Sequence, residues 1–327
     1  MFNAAIIGSG IGLKHLEAIS GYKSVKVKII CEKDNKRAQH LKKKFPKIEI
    51  VKNENKIFTD KSIKLVSIAS YDNYHYEQIL KCIKNNKHII VEKPFCLNHK
   101  ELKKIYELLK RKRNIKFLSN LVLRVNDLFN NIKKIVNKKK IFYLEADYIW
   151  GRREKLFGWR STVKNYSATL GAGIHLIDLV IWILERKPVS VISYGNNIVT
   201  KKTRFKKKSF VINIFKFPGN VLVKITSNLA GNYNHFHELK IFEKDQTIIH
   251  NLNNSFILNK KKNKIKLKGS YPDKSNRKKL IQNFIDQIKD TSINPILTLK
   301  EQFDLMSICF YADKSLRSNK EIKIKYL

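Results

Sequence analysis

The chain has 327 residues, of which 43% are hydrophobic and 10% aromatic, so it can bury a full core and is not a disordered segment. Its formal net charge is +40, from 67 Lys and Arg against 27 Asp and Glu. The lysines run along the whole chain with an excess of Asn and Ile, which reads as compositional drift and sets nucleic acid aside as a partner. Cys31, Cys82, Cys96 and Cys309 form no C-x-x-C pair, which argues against a zinc or disulfide framework and for a reducing, cytoplasmic compartment with no metal. No signal peptide is read, and no apolar run is long enough to span a membrane.

Taken in order, residues 4–7 read as a short buried strand that breaks at Gly8, Gly10 and Gly12. Leu13, Leu16 and Ile19 then follow at helical spacing. Strand, glycine turn and helix form the setting of a dinucleotide fingerprint, here G-S-G-I-G, with its third glycine displaced by one from G-x-G-x-x-G. Gly8 permits the turn and Gly10 lets backbone approach a pyrophosphate. Ser9, Ile11 and Gly12 complete the loop that leads into the helix N-terminus. The next strand, Val25–Cys31, ends at Glu32, 20 residues past Gly12, where a carboxylate suits the adenosine ribose hydroxyls. Lys33 and Arg37 lie close enough to take a 2′-phosphate, so NAD is the expected cofactor and NADP stays open.

A basic helix is expected over 35–45, a helix cap at 59–60 and a strand over 65–69. A loop over 70–75 opens a helix to about 86, a strand over 88–91 ends in Glu92-Lys93-Pro94, and Asn98 caps a helix over 100–112. A last short strand at 115–118 completes an α/β doubly wound parallel sheet. From about 141 the pattern changes to alternating runs divided by turns such as Pro218-Gly219-Asn220, which predicts a larger, mostly antiparallel sheet. One helix is expected at 174–184 and two close the chain, at 278–289 and 299–316. The dense basic stretch 201–208 reads as a solvated connection. The expected domains are 1–120, dinucleotide-binding, and 121–327, for substrate binding and oligomerisation.

Six motifs together resemble the Gfo/Idh/MocA family, the glucose–fructose oxidoreductase and inositol dehydrogenase relatives. They are G-S-G-I-G-x-x-H at 8–15, S-x-D-N-Y-H at 70–75, V-E-K-P at 91–94, L-R-V-N at 123–126, G-A-G-I-H-L-I-D at 171–178, and P-I-L-T-x-K-E-Q from Pro295. The resemblance implies a Rossmann domain followed by an α+β domain with an open, largely antiparallel sheet. It also implies a bound NAD(P), hydride transfer at a sugar carbon, and a homodimer or homotetramer joined through that sheet. Through the matching motifs it adds Ser70, Asn73, His75, Glu92 and Lys93 to the cofactor site, and it implies a cis bond before Pro94.

Lys93 and His175 are the expected catalytic residues. A lysine at a strand end can hold a substrate hydroxyl and lower its pKa, and a histidine is a general acid/base at neutral pH. Asp178, at i+3 from His175, is expected to orient its ring or bind substrate, and Arg124 of L-R-V-N is also assigned to substrate. Arg152, Trp159, Arg160 and Tyr166 line the segment that leads to the His175 helix. Arginine forks and an indole suit an anionic sugar, including a nucleotide-linked one. One departure stands out: many relatives carry an aspartate four residues before the histidine, and this chain has Gly171. Tyr148, Asn165, Tyr166 and Lys93 are candidates to replace it. A non-catalytic dinucleotide-binding role is the alternative that Gly171 raises.

Overall fold

The computed structural model describes residues 1–273 and 275–327. They form two compact units: Met1–Asn120 with Ser275–Phe303, and Leu121–Lys274 with Asp304–Leu327.

The first unit alternates β1 (Phe2–Ile7), α1 (Gly12–Ser20), β2 (Val25–Cys31), α2 (Asn35–Lys44), β3 (Glu49–Val51), α3 (Asn55–Thr59), β4 (Ile63–Ile68), α4 (His75–Lys84), β5 (His88–Val91), α5 (His99–Arg111) and β6 (Phe117–Ser119). All strand pairs are parallel and the order is β3-β2-β1-β4-β5-β6. The inner strands are apolar on both faces because helices cover both, as Ala4 to Ile7 and Leu65 to Ile68 show by near-complete burial. Asp34 and Asn98 cap α2 and α5 by accepting from the Arg37 and Glu101 amides. The strand order reverses between β1 and β4, which places the ligand-binding switch point at their C-terminal ends. β3 and α3 were not evident in the sequence, being only three and five residues long.

In the second unit, α6 (Asp127–Ile135) precedes β7 (Ile141–Ile149), a short α7 (Trp159–Thr162) and α8 (Ile174–Leu184). There follow β8 (Ser190–Asn196), β9 (Phe210–Phe217), β10 (Val221–Asn228), β11 (Phe236–Glu243), β12 (Gln246–His250), β13 (Ser255–Asn259) and β14 (Lys264–Lys266). The chain closes with α9 (Lys278–Lys289), α10 (Leu299–Ser318) and β15 (Ile322–Lys323). Nine strands form one open sheet, β14-β13-β12-β11-β7-β10-β9-β8-β15. Its pairs are antiparallel except β7 with β10 at the centre. One face is packed through Leu144, Ala146, Val223, Ile225, Leu239 and Ile241. On the other, Glu145 takes Lys224 at 3.0 Å and Lys240 at 2.8 Å from the two flanking strands. α8 is apolar nearly all round and correspondingly buried.

One boundary departs from expectation. Residues 275–303 belong with the first unit and not with 121–327. α9 packs on α1 with Leu280, Ile281, Phe284 and Ile285 buried, and Tyr22 Oη donates to Asp286 Oδ2 at 2.8 Å. An amphipathic pattern states that a helix has a sheet or helix to cover, not which one.

Candidate cofactor site and candidate catalytic residues

The three glycines of the first turn do three different things. Gly8 has φ +89°, and a Cβ there would lie 2.6 Å from the Ala69 carbonyl oxygen. A Cβ on Gly12 would meet Ile6 Cγ2 at 2.8 Å, so this glycine lets α1 pack against β1. A Cβ on Gly10 would meet nothing within 4 Å. The protein therefore does not need a glycine at 10 for its own packing, and the open space there fits a ligand approaching the backbone. No side chain caps α1 and none of its first-turn residues is acidic, so its N-terminal dipole end is left to an anion.

Glu32, at the end of β2, turns back onto that loop. Its Oε2 accepts from the Ser9 amide at 3.1 Å and from the Ser9 hydroxyl, and its Oε1 accepts from the Asp34 amide at 2.9 Å. Burial works against its ionisation, but these donors and the Arg37 charge hold the carboxyl below the usual carboxylate range. Beside it, Lys33, Lys52, Asn53, Glu54, Asn55 and Lys81 line an open depression at the ends of β2 and β3. Gly8, Ser9, Gly10, Ile11, Gly12 and Glu32 thus form one cradle that fits a dinucleotide, with Lys33 in position to add a cation.

The remaining expected cofactor residues divide. Ser70 donates to Gln78 Oε1 at 2.7 Å, and Asn73 is exposed in the turn before α4. His75 is fully buried with Nδ1 2.8 Å from the Pro94 carbonyl and Nε2 3.1 Å from the Ser70 carbonyl. Both ring nitrogens face backbone, so His75 clasps the loops after β4 and β5 together. Glu92 likewise turns to protein partners: it takes His15 Nε2 at 2.9 Å and the Asn120 amide nitrogen at 2.7 Å. Burial opposes its ionisation, and His15, Asn120 and the neighbouring Lys93 outweigh that and lower its pKa. His15 Nδ1 lies 2.7 Å from the Ser67 hydroxyl, completing a buried polar network under the strand ends. Nε2 of the same ring also lies 3.1 Å from the Asn120 side-chain nitrogen. His15 stood in the first motif, but a sequence does not reveal a partner 77 residues away. Lys93 is half-buried directly after this network, and its bond to Pro94 is cis, as the resemblance implied.

In the second unit, a π-helical turn at Thr169–Gly173 leads into α8 and presents His175, which is partly exposed. Its ring lies nearly parallel to Tyr148, centres 6.1 Å apart, and edge-on to His237 at 6.0 Å. His235, His237 and Tyr271 belong to the same cluster and were not picked out from the sequence; they lie on or beyond a strand with no motif to flag them.

Asp178, one turn further along α8, is paired with Arg124. Its carboxylate accepts from Arg124 Nε at 3.0 Å and from Nη2 at 2.7 Å, and both side chains are 1% exposed. Arg124 and Asp178, both expected to meet substrate, form a buried fork-to-fork ion pair that anchors α8. Gly171 also has its reason. A Cβ there would fall on the Tyr166 hydroxyl and ring carbons, far inside van der Waals contact. Tyr166 itself is buried, edge-on to Trp159 at 6.2 Å and to Phe205 at 5.9 Å. Of the arginines, Arg160 stacks over Trp159 at 4.3 Å and Trp150 at 5.1 Å, while Arg152 is half-buried. The basic stretch 201–208 is more than a solvated connection: Phe205 is fully buried and Lys207 Nζ donates to the Ser161 carbonyl at 3.0 Å.

All four cysteines are buried. Among the described residues there is no group of three potential metal ligands and no helix long and apolar enough to cross a membrane.

A parallel six-stranded sheet with a glycine turn at its switch point is a dinucleotide-binding architecture, and residues 2–120 match the family described as "Oxidoreductase family, NAD-binding Rossmann fold". Residues 130–249 match the GFO/IDH/MocA C-terminal domain. The chain belongs to the GFO/IDH/MocA family. A scyllo-inositol 2-dehydrogenase (NADP(+)) of Bacillus subtilis is 30% identical over 149 residues, which is 43% of this chain and 40% of that one. The chain thus spans well under two thirds of that relative's length. Among solved structures, myo-inositol 2-dehydrogenase from Lactobacillus plantarum superposes with a TM-score of 0.85 at 19% identity, covering 99% of both chains. UDP-N-acetylglucosamine 3-dehydrogenase from Acidithiobacillus ferrooxidans gives 0.79 at 15%, covering 97% of this chain and 98% of that one. At these identities the two structures establish the shared fold.

Proposed function

We propose that this chain is an NAD(P)-dependent dehydrogenase or reductase that moves hydride between a nicotinamide and a hydroxyl or keto carbon of a sugar or cyclitol. The observation that carries this reading is the open space at Gly10, set between the α1 N-terminus and the Ser9–Glu32 latch. In this reading the cradle from Gly8 to Gly12 holds the pyrophosphate and Glu32 the adenosine ribose, so NAD is preferred. When bound, the nicotinamide supplies the hydride acceptor or donor. Lys93 holds the reacting oxygen and stabilises its alkoxide character, and His175 gives or takes the proton. The Glu92–His15–Asn120 network fixes the backbone from which Lys93 projects.

The substrate is proposed to be anionic, because Arg152, Arg153 and Arg160 sit on one loop and Arg160 is held rigid by two indoles. The exposed face of the nine-stranded sheet, with Phe142 and Leu222 exposed, is proposed to pair two copies of the chain. Four buried thiols suit the cytoplasm. Calorimetric titration with NAD and NADP, followed by reduction assays with myo-inositol, scyllo-inositol and UDP-N-acetylglucosamine, tests the proposal. Dinucleotide binding with turnover of any of the three supports it. Absence of dinucleotide binding overturns it, and binding without turnover of a wide sugar panel favours the non-catalytic alternative that Gly171 raises.

A further inference from the structure

Behind His175 the second unit places an unusual run of rings. His237, on β11, is directly opposite Tyr148, on β7, in the antiparallel ladder. Their rings meet edge-to-face with centres 4.3 Å apart. The Tyr271 hydroxyl is hydrogen-bonded to His237 Nδ1. Tyr271 is itself held by Phe129 at 5.2 Å, Phe236 at 5.3 Å and His250 at 5.1 Å. His235 packs on Tyr148 and His237, both at 5.5 Å, and its Nδ1 lies 3.0 Å from the Trp150 carbonyl. The chain Tyr271–His237–Tyr148–His175 is therefore continuous, with each ring set by the next.

We propose that His237 and Tyr271 are positioning residues for His175, acting through Tyr148. His237 is 5% exposed, and a buried imidazole with a hydrogen-bonded Nδ1 has its ring plane fixed. That plane sets the edge against which Tyr148 packs, and Tyr148 lies parallel to the His175 ring. His175 stands just after a π-helical turn, so α8 alone does not brace it as regular helix would on both sides. Among the described residues, the titratable groups whose rings make up and flank this chain are His175, His235, His237, His250, Tyr148 and Tyr271, from β7, α8, β11 and the residue before it, β12 and the segment after β14. The inference rests on the reading of His175 as the proton-transfer group, but its test does not.

The test is the NMR titration of the His175 ring Cε1–H in the full chain without substrate, assigned by its loss in His175→Gln. Tyr271→Phe keeps the ring and removes only the hydroxyl. It is expected to move the His175 midpoint by about half a pH unit or more, because the local hydrogen bonding and packing of an imidazole set its proton affinity. His237→Gln is expected to move it in the same direction as Tyr271→Phe, and the double variant to add little, since both break one hydrogen bond. Each variant is first checked for a wild-type thermal transition and for NAD binding. A His175 midpoint and chemical shift unchanged in both folded variants would overturn the proposal, as would fully additive effects. If the shifts appear while the reduction assays stay silent, positioning stands and the enzymatic reading fails.

Discussion

The glycine turn makes a prediction in which stability and binding separate. Gly10→Val adds three carbons at a position where a Cβ meets no protein atom within 4 Å, so its first carbon enters open space. Its backbone lies outside the left-handed region, so no φ strain is added either. The expected change in folding free energy is within about 0.5 kcal/mol. Gly12→Val adds the same atoms against Ile6 Cγ2 at 2.8 Å and Ala69 Cβ at 3.3 Å, between helix and strand. Overpacking of this kind costs about 1–3 kcal/mol. For NAD affinity the order reverses. Gly10→Val obstructs the approach of backbone to pyrophosphate and is expected to weaken binding at least about tenfold, about 1.4 kcal/mol. Thermal unfolding without ligand and calorimetric NAD titration, run on both variants, read the two quantities separately. Gly10→Val binding NAD as tightly as the unaltered chain would refute the reasoning, and so would a destabilisation of Gly10→Val equal to that of Gly12→Val.

Arg124→Met leaves the Asp178 carboxylate buried without its fork and is expected to cost about 3–5 kcal/mol in urea unfolding; a loss below about 1 kcal/mol would count against a structural ion pair. Gly171→Ala is expected to destabilise by about 1–3 kcal/mol, since the new methyl falls on Tyr166. That loss should largely disappear when Tyr166→Ala is added, and additive losses in thermal unfolding would show that the two sites do not meet. Asp313 is buried and its carboxyl is pushed up from 3.8 to about 6 by burial, against hydrogen bonding from Ser167 and the Arg317 charge. The folded chain therefore binds this proton more tightly than the unfolded one, and the stability it brings is full below about 4 and lost as pH rises through about 6. Asp313→Asn should accordingly gain on the unaltered chain by an amount of order 2 kcal/mol between pH 4 and 7; parallel stability–pH curves would contradict this.

Much of the fold was legible because period and punctuation agreed. The alternation of apolar strands and capped helices up to residue 120, then the period-two runs from 141, gave both sheets and the boundaries of β2, β5, α8 and α9 as they stand. What was not legible were partners distant in sequence. α9 reads as a helix but not as one that returns to α1. Asp178 sits three residues from His175, and nothing local states that its charge is matched by Arg124, 54 residues earlier. Gly171 reads as a missing aspartate, whereas the space is filled by Tyr166 five residues before it. His237 and Tyr271 lie in no motif, and only strand register brings the first to Tyr148.

In the proposed mechanism Lys93 and His175 move the proton, while the Gly8–Gly12 turn and Glu32 hold the adenosine end of the dinucleotide. The most direct test measures NAD affinity and turnover together in Lys93→Met and His175→Ala, using whichever sugar or cyclitol of the assay panel the unaltered chain reduces or oxidises. NAD affinity is expected to stay within about threefold, less than about 1 kcal/mol, and kcat to fall by about 10²–10⁴-fold in each variant. Turnover equal to that of the unaltered chain in both variants would contradict it.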